Sequence, residues 1–243
     1  MNDYSFIEIL VKRNYAEWVK RSIPACFERG SGLSQPVTKP RTQRRTASKE
    51  ERQAQLIKAT IRSIARNGLS VTTIATVAKE ARLSQGIINL HFQSKERLLE
   101  ETLLHVVDEY RAAWYKALET SGESAAEKLR ALLSVDFDRQ ICQRNKLAVW
   151  FAFWGESRSR LTYRKIYAER SREYEKVLTG LCEELIGQGG YDANARRIAS
   201  GLVAMHAGLW LDLLLNPNEM KLEQAREISL SYLHGVFPGH FDE

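Results

Sequence analysis

The sequence predicts an all-α protein of about nine helices, with an N-terminal three-helix helix-turn-helix domain and a C-terminal helical domain. Apolar residues recur at three- and four-residue steps through most of the chain, and no run alternates as a half-buried strand would. Capping residues and Asn, Gly or Pro breakers stand where those periodic runs begin and end. Charge is also divided: residues 39–97 carry 13 Lys/Arg against 4 Asp/Glu, whereas residues 98–243 carry 18 against 22. A basic module joined to a mildly acidic body fits a phosphate-binding unit, with a solvated basic face as the plainer alternative.

The boundaries follow from these signals. Residues 1–40 read as an extension and linker, 41–97 as the helix-turn-helix domain and 98–243 as the second domain. Residues 5–23 suit a short amphipathic helix, Pro24 ends it, and Gly30–Pro40 is a linker. The first 36 residues are expected to be an over-extended gene start, because Val37 opens the segment before the basic arm and GTG can initiate translation in bacteria. Ser48-Lys-Glu-Glu51 is a capping box, in which hydroxyl and carboxylate each satisfy a free helix-end N–H. Behind it Leu56, Ile57, Thr60, Ile61 and Ile64 form one stripe, stopped at Asn67-Gly68. A second helix is expected over 73–80 and a third, capped by Ser84, over 85–91. A fourth, capped by Ser94, runs to about Ser121. Later helices are expected near 125–140, 145–155, 159–187, 192–215 and 220–236.

Several function classes fall away. Cys26, Cys142 and Cys182 form no paired motif, which suits free thiols in a reducing cytosol better than disulfides or zinc. No run of apolar residues approaches 18, so no membrane span is expected, and a cytoplasmic location follows. The five histidines are scattered, and no nucleotide loop, metal spacing or nucleophile motif is present. No catalytic residue, metal or cofactor is therefore expected. A sequence-blind architectural DNA binder would need basic charge throughout, against the acidic second half.

Two short helices joined at a tight turn, with Ala78 and Ala81 where they cross, make a helix-turn-helix, whose second helix enters the major groove. In it Ile87 and Ile88 can anchor to the core while Gln85, Asn89 and His91 face outward. Gln and Asn match the donor–acceptor edge of adenine, Gly86 allows close approach to the duplex, and Lys95 suits a phosphate. An ordinary polar helix face is the competing explanation. The run Thr73–Leu99 resembles the N-terminal signature of TetR-type repressors over the whole helix 1 to helix 4 module. That resemblance implies a homodimer on double-stranded operator DNA, with contacts from Thr73, Ser84, Gln85, Asn89, His91 and Lys95. Two positions depart from the pattern: Arg82 replaces a turn Gly, and His91 replaces a Tyr. Arg82 is strained if its φ is positive. Arg41, Arg44 and Arg45 in the preceding arm can enter the minor groove or bind phosphates, unless the arm is simply solvated.

The second half carries Lys146-Leu-Ala-Val-Trp-Phe-Ala-Phe-Trp154 and Gly208-Leu-Trp-Leu211. These runs resemble the BetI branch, the choline-responsive regulators of glycine betaine synthesis genes. Trp150 and Trp154 lie one helical turn apart with Phe153 at the edge, and His206 pairs similarly with Trp210. A quaternary ammonium is held by aromatic faces, because it has no hydrogen to donate. Asp136, Asp138, Glu156 and Asp212 are candidate complementary carboxylates, Asp136 being the one expected at the inducer site. Choline or a related amine is the expected inducer, with a drug-like or aromatic ligand as the alternative and ordinary core packing as the plain explanation of the aromatics. The resemblance also implies a dimer face on the last two helices, with Leu202, Leu209 and Leu213 as candidates.

Overall fold

The computed structural model describes residues 48–241. The proposed N-terminal helix, the linker, Cys26, and the arm with Arg41, Arg44 and Arg45 lie outside them. Within the described residues the chain forms nine α-helices and no strand: α1 Lys49–Asn67, α2 Ile74–Ala81, α3 Gln85–Phe92, α4 Lys95–Thr120, α5 Ala125–Asp136, α6 Arg144–Glu156, α7 Leu161–Gly189, α8 Ala195–Leu215 and α9 Leu222–Val236.

Local chemistry explains the helix ends. The Glu51 N–H donates to Ser48 Oγ at 3.1 Å and the Ser48 N–H to Glu51 Oε2 at 2.7 Å, which is the reciprocal cap the sequence announces. α1 stops where Gly68 takes a φ of 84°. Thr73 caps α2 by accepting from the Thr76 N–H at 3.1 Å, and Ser94 caps α4 by accepting from Arg97. Ser84 stands at the N-cap of α3, but its hydroxyl makes no cap bond, which corrects the expected side-chain cap.

α2 ends on Arg82, whose φ of 56° and ψ of 43° lie in the left-handed region. The Leu83 N–H then reaches the Ala78 carbonyl at 3.0 Å, so the turn needs that conformation. A side chain with a Cβ pays for it with steric strain of about 1 kcal/mol. Arg82→Gly should therefore raise stability by about 1 kcal/mol, read as a higher urea midpoint with an unchanged denaturant slope. A lower midpoint would mean that Arg82 makes contacts worth more than the strain.

Two cores form. Leu56, Ala59, Val77, Ala78, Ala81, Ile88, Phe92 and Leu98 pack the helix-turn-helix core. Ile88 is buried there, whereas Ile87 is only half-buried, so one isoleucine and not two anchors α3 firmly. Arg62 Nε meets Glu80 at 2.7 Å and Arg66 meets it at 3.2 Å, tying α2 to α1. The larger core gathers Leu99, Leu103, Val106 and Val107 of α4 with Leu147, Trp150 and Phe153 of α6, and it also takes in Ile61 and Ile64 of α1. α4 thus belongs to both cores. From Leu98 in the first to Tyr110 in the second it runs about 18 Å, at about 1.5 Å per residue.

Three expectations change. The helix expected over 125–140 ends at Asp136, because Phe137 caps it and the Gln140 N–H turns to Asp138 Oδ1 at 2.7 Å. α8 is long and apolar enough to cross a bilayer, with a mean hydropathy of 1.6 over its apolar stretch, so such a run does exist. Here α8 buries one side, with Ile198, Leu202, His206 and Trp210, and 33% of its apolar stretch is buried. Leu202 is thereby enclosed within its own chain and is not free for a dimer face. Cys142 and Cys182 are free thiols, and burial pushes each up to about 12.

Candidate functional site

Two surfaces collect the residues singled out by sequence. The first is the outer side of α3. Burial of Ile88 and Phe92 fixes the helix rotation, and Gln85, Gly86, Asn89 and Leu90 stand exposed opposite them. Thr73 and Ser84, at the starts of α2 and α3, are exposed, and Lys95 opens α4 half-buried. His91 is half-buried, and its Nδ1 has no hydrogen-bond partner among the described residues. A Cβ on Gly86 would meet only Ser84 Oγ at 3.8 Å, so intrachain packing does not demand glycine at this helical position. Leu90, 75% exposed, was not singled out from the sequence; an apolar residue at such a place is ordinarily counted as core.

The second is a cavity of about 70 Å³, partly open to solvent and lined by four helices. α4 contributes Val107, Tyr110, Arg111 and Trp114; α7 contributes Tyr167, Arg170, Ser171 and Tyr174; α8 contributes Val203, His206, Ala207 and Trp210. Each set follows the same i, i+3, i+4, i+7 spacing, one stripe of a helix. α6 adds Trp150 and Trp154. The aromatic rings brace one another edge to face. Tyr110 meets Trp150 at 6.3 Å and Trp210 at 5.4 Å between centroids, and Trp154 meets Tyr167 at 5.1 Å.

Of the six inducer-site candidates, Trp150, Trp154, His206 and Trp210 line this cavity, and two do not. Phe153 turns the other way and packs edge-on to Tyr163 at 4.8 Å, so it is core. Asp136 stands behind the wall, fully buried at the end of α5. Its carboxylate accepts from the hydroxyl of Tyr110, from the hydroxyl of Tyr174 at 2.7 Å and from Nδ1 of His206 at 2.6 Å. Its backbone carbonyl, released where α5 stops, accepts from Trp210 Nε1 at 2.7 Å and from Cys142 Sγ at 3.0 Å. The other carboxylates are occupied elsewhere: Asp138 at its own turn, Glu156 with Ser159 and Asp212 with Asn216.

Burial first, and then the negative charge of Asp136, push the Tyr110 and Tyr174 hydroxyls well above their ordinary value, so both remain protonated donors. Arg111 and Arg170 also line the cavity, but each meets a carboxylate. Arg111 makes two 2.7 Å bonds to Glu173, and Arg170 stands 3.0 Å from Asp108. Burial alone would raise Glu173, yet the Arg111 guanidinium and the Tyr115 hydroxyl outweigh it and hold Glu173 below its usual range. The Asp136 carboxylate meets no Lys or Arg among the described residues, and its ring partner is His206. Of the side chains that line the cavity, two have a buried polar atom with no hydrogen-bond partner among the described residues: Trp154 at Nε1 and His206 at Nε2. No group of three His, Cys, Asp or Glu among those residues is placed to hold a metal ion.

Tyr110, Trp114, Tyr167 and Tyr174 escaped sequence reasoning. Their signal was present as aromatic stripes on α4 and α7, but such stripes most often mark plain core.

Comparison with known proteins bears on both surfaces. A family model for bacterial regulatory proteins of the tetR family matches residues 56–102. A model for the C-terminal part of BetI-type transcriptional repressors matches residues 125–238. The HTH-type transcriptional regulator BetI of Burkholderia thailandensis is 35% identical over 185 residues, covering 76% of this chain and 93% of the relative. The regulator of the same description from Paraburkholderia phymatum is 34% identical, over 76% and 92% of the two chains. Among solved structures, a Pseudomonas aeruginosa protein described as a transcriptional regulator superposes with a TM-score of 0.71 at 29% identity, over 80% of this chain and 94% of its own. A regulator from Saccharomonospora viridis, solved in complex with choline, shares the fold with a TM-score of 0.67 at 23% identity, over 75% and 95% of the two chains.

Proposed function

We infer the function from family: the chain belongs to the tetR family of bacterial regulatory proteins and carries a BetI-type repressor C-terminal region. It is a transcriptional repressor of that family, a regulator and not an enzyme. The finer reading is a homodimer that holds operator DNA until a small organic cation, choline or a close relative, enters the cavity. It would control genes of choline and glycine betaine synthesis, in the cytoplasm where its DNA lies.

The carrying observation is the aromatic cavity backed by the Asp136 carboxylate. Cation–π contacts contribute about 0.5–2 kcal/mol each, and the buried negative charge favours a cation over a neutral ligand. The cavity volume suits a small head group better than a multi-ring drug. The S. viridis relative bound to choline supports the same ligand class.

On the DNA side, α3 is assigned to the major groove. Gln85 and Asn89 read adenine edges, and Gly86 permits the close approach. Leu90 offers its side chain to a thymine methyl group. Thr73, Ser84, His91 and Lys95 hold phosphates, with Arg41, Arg44 and Arg45 of the arm reaching further along the duplex. The dimer face is assigned to α8 and α9, where Leu211, Leu215, Ile228 and Tyr232 remain exposed. The two α3 helices of a dimer must stand about 34–36 Å apart. A ligand shifts that spacing only by binding one arrangement more tightly than the other. α4, shared by both cores, is the element that carries the difference.

A gel shift on the DNA upstream of its own gene, at fixed salt with and without millimolar choline, tests both halves. The expected result is a sequence-specific complex that choline dissolves. Specific binding indifferent to choline would refute the inducer, and no preference over random DNA would refute the α3 assignment.

A further inference from the structure

The cavity contains more than a place for a positive charge. His206 is 5% exposed, and its Nδ1 lies 2.6 Å from Asp136 Oδ2, while its Nε2 has no partner among the described residues. A carboxylate only accepts, so Nδ1 carries a hydrogen, and in a neutral ring Nε2 then presents a lone pair. Asp136 itself is fixed by the Tyr110 and Tyr174 hydroxyls, so the ring cannot exchange the two nitrogens without breaking a buried network. Trp154 supplies the opposite sense on the cavity wall: its unpartnered Nε1–H can only donate. Buried polar atoms left without partners are costly, and a ligand that satisfies them recovers that cost.

We propose that His206 is held as a neutral ring by its Nδ1–H bond to Asp136 and is a specificity residue that accepts a hydrogen bond at Nε2 from a hydroxyl on the bound cation. The preferred ligand is then a small amino alcohol, and the corresponding carboxylate is excluded. An alcohol oxygen can meet either sense of hydrogen bond, so it satisfies His206 by donating. A carboxylate can accept from Trp154, but it brings lone pairs against the lone pair of Nε2 and negative charge toward Asp136. A tetraalkylammonium satisfies neither atom and binds through the aromatic faces alone. The penalty falls on site atoms that no water or side chain can serve once the ligand fills the cavity.

The inference rests on the cation reading above, and the ligands for the test separate the two. The full chain is titrated with tetramethylammonium, choline, glycine betaine and the analogue of choline in which fluorine replaces the hydroxyl, followed by calorimetry or by tryptophan fluorescence. The unsubstituted protein is expected to bind choline about five- to tenfold more tightly than tetramethylammonium or the fluoro analogue, the effect of one hydrogen bond, and betaine most weakly. In His206→Asn the side-chain amide keeps a donor for Asp136 where Nδ1 stood but has no atom at Nε2. Choline and its fluoro analogue should then bind within about twofold of each other, while tetramethylammonium binding is retained. Equal binding of choline and the fluoro analogue by the unsubstituted protein overturns the proposal without any variant having to fold. So does betaine binding as tightly as choline. If tetramethylammonium and choline both fail to bind, the cation reading fails and this inference falls with it.

Discussion

Replacing Asp136 by Asn should cost about 3 kcal/mol of stability and remove the response to a cationic ligand. The carboxylate is fully buried and faces three donors: the Tyr110 and Tyr174 hydroxyls and Nδ1 of His206. An amide of the same shape offers one accepting oxygen and turns N–H groups toward the remaining donors. Each buried donor left unsatisfied costs about 1–3 kcal/mol, and removing one partner of a buried charged cluster costs about 3–5 kcal/mol. The backbone carbonyl of residue 136 would still accept from Trp210, so the fold survives while the network does not. Urea unfolding followed by tryptophan fluorescence measures the loss, and an unchanged denaturant slope confirms that the folded state is comparable. The ligand is then titrated where the variant remains folded. A stability change below about 1 kcal/mol would show that the three donors do not need a carboxylate, and retained cation affinity would show that the cavity's charge comes from elsewhere.

The second large effect lies on α3. Gln85→Ala combined with Asn89→Ala should leave stability within about 0.5 kcal/mol, because both side chains are exposed. Operator binding should nevertheless weaken by about 2–6 kcal/mol, at about 1–3 kcal/mol for each side chain that reads a base edge. Binding to scrambled DNA should not change, and neither should the salt dependence, because both side chains are neutral. Lys95→Ala provides the contrast: it should weaken operator and scrambled DNA alike and reduce the salt slope by about one unit. Anisotropy titrations on both DNAs at several salt concentrations read all three quantities. An equal loss on both DNAs from the Gln85/Asn89 variant would place these residues on the phosphates and not on the bases.

Local signals suffice at several helix ends. Ser48-Lys-Glu-Glu51, Thr73, Ser94 and Asn67-Gly68 each encode a helix end through atoms within a few residues, and the structure has those ends. Arg82 illustrates the same rule in reverse. Its position at the turn signalled left-handed backbone, and φ is 56° despite the Cβ. Ser84 shows the limit, since a residue of capping type at the right position makes no cap bond. α5 shows another: its periodic pattern continued beyond Asp136, but the turn at 137–143 redirected the chain.

Sequence by itself determined the all-α class, the helix-turn-helix, the outward Gln85 and Asn89 of α3 (though not His91, which is half-buried) and the presence of aromatic pairs one turn apart on α6 and α8. These depend on periodicity, caps and breakers, which act within one or two helical turns. Only the tertiary structure decided which side of α6 faces the cavity. Trp150 and Trp154 line it and Phe153 does not, a matter of how the helix is rotated about its axis when packed. It also placed Asp136, alone of four candidate carboxylates, in a buried network with Tyr110, Tyr174 and His206. The partners of that residue lie 26, 38 and 70 positions away in sequence, so no local pattern could have announced them. Burial of a charge is settled by what other helices bring to it, and that is why the cavity's chemistry emerged only when α4, α5, α7 and α8 came together.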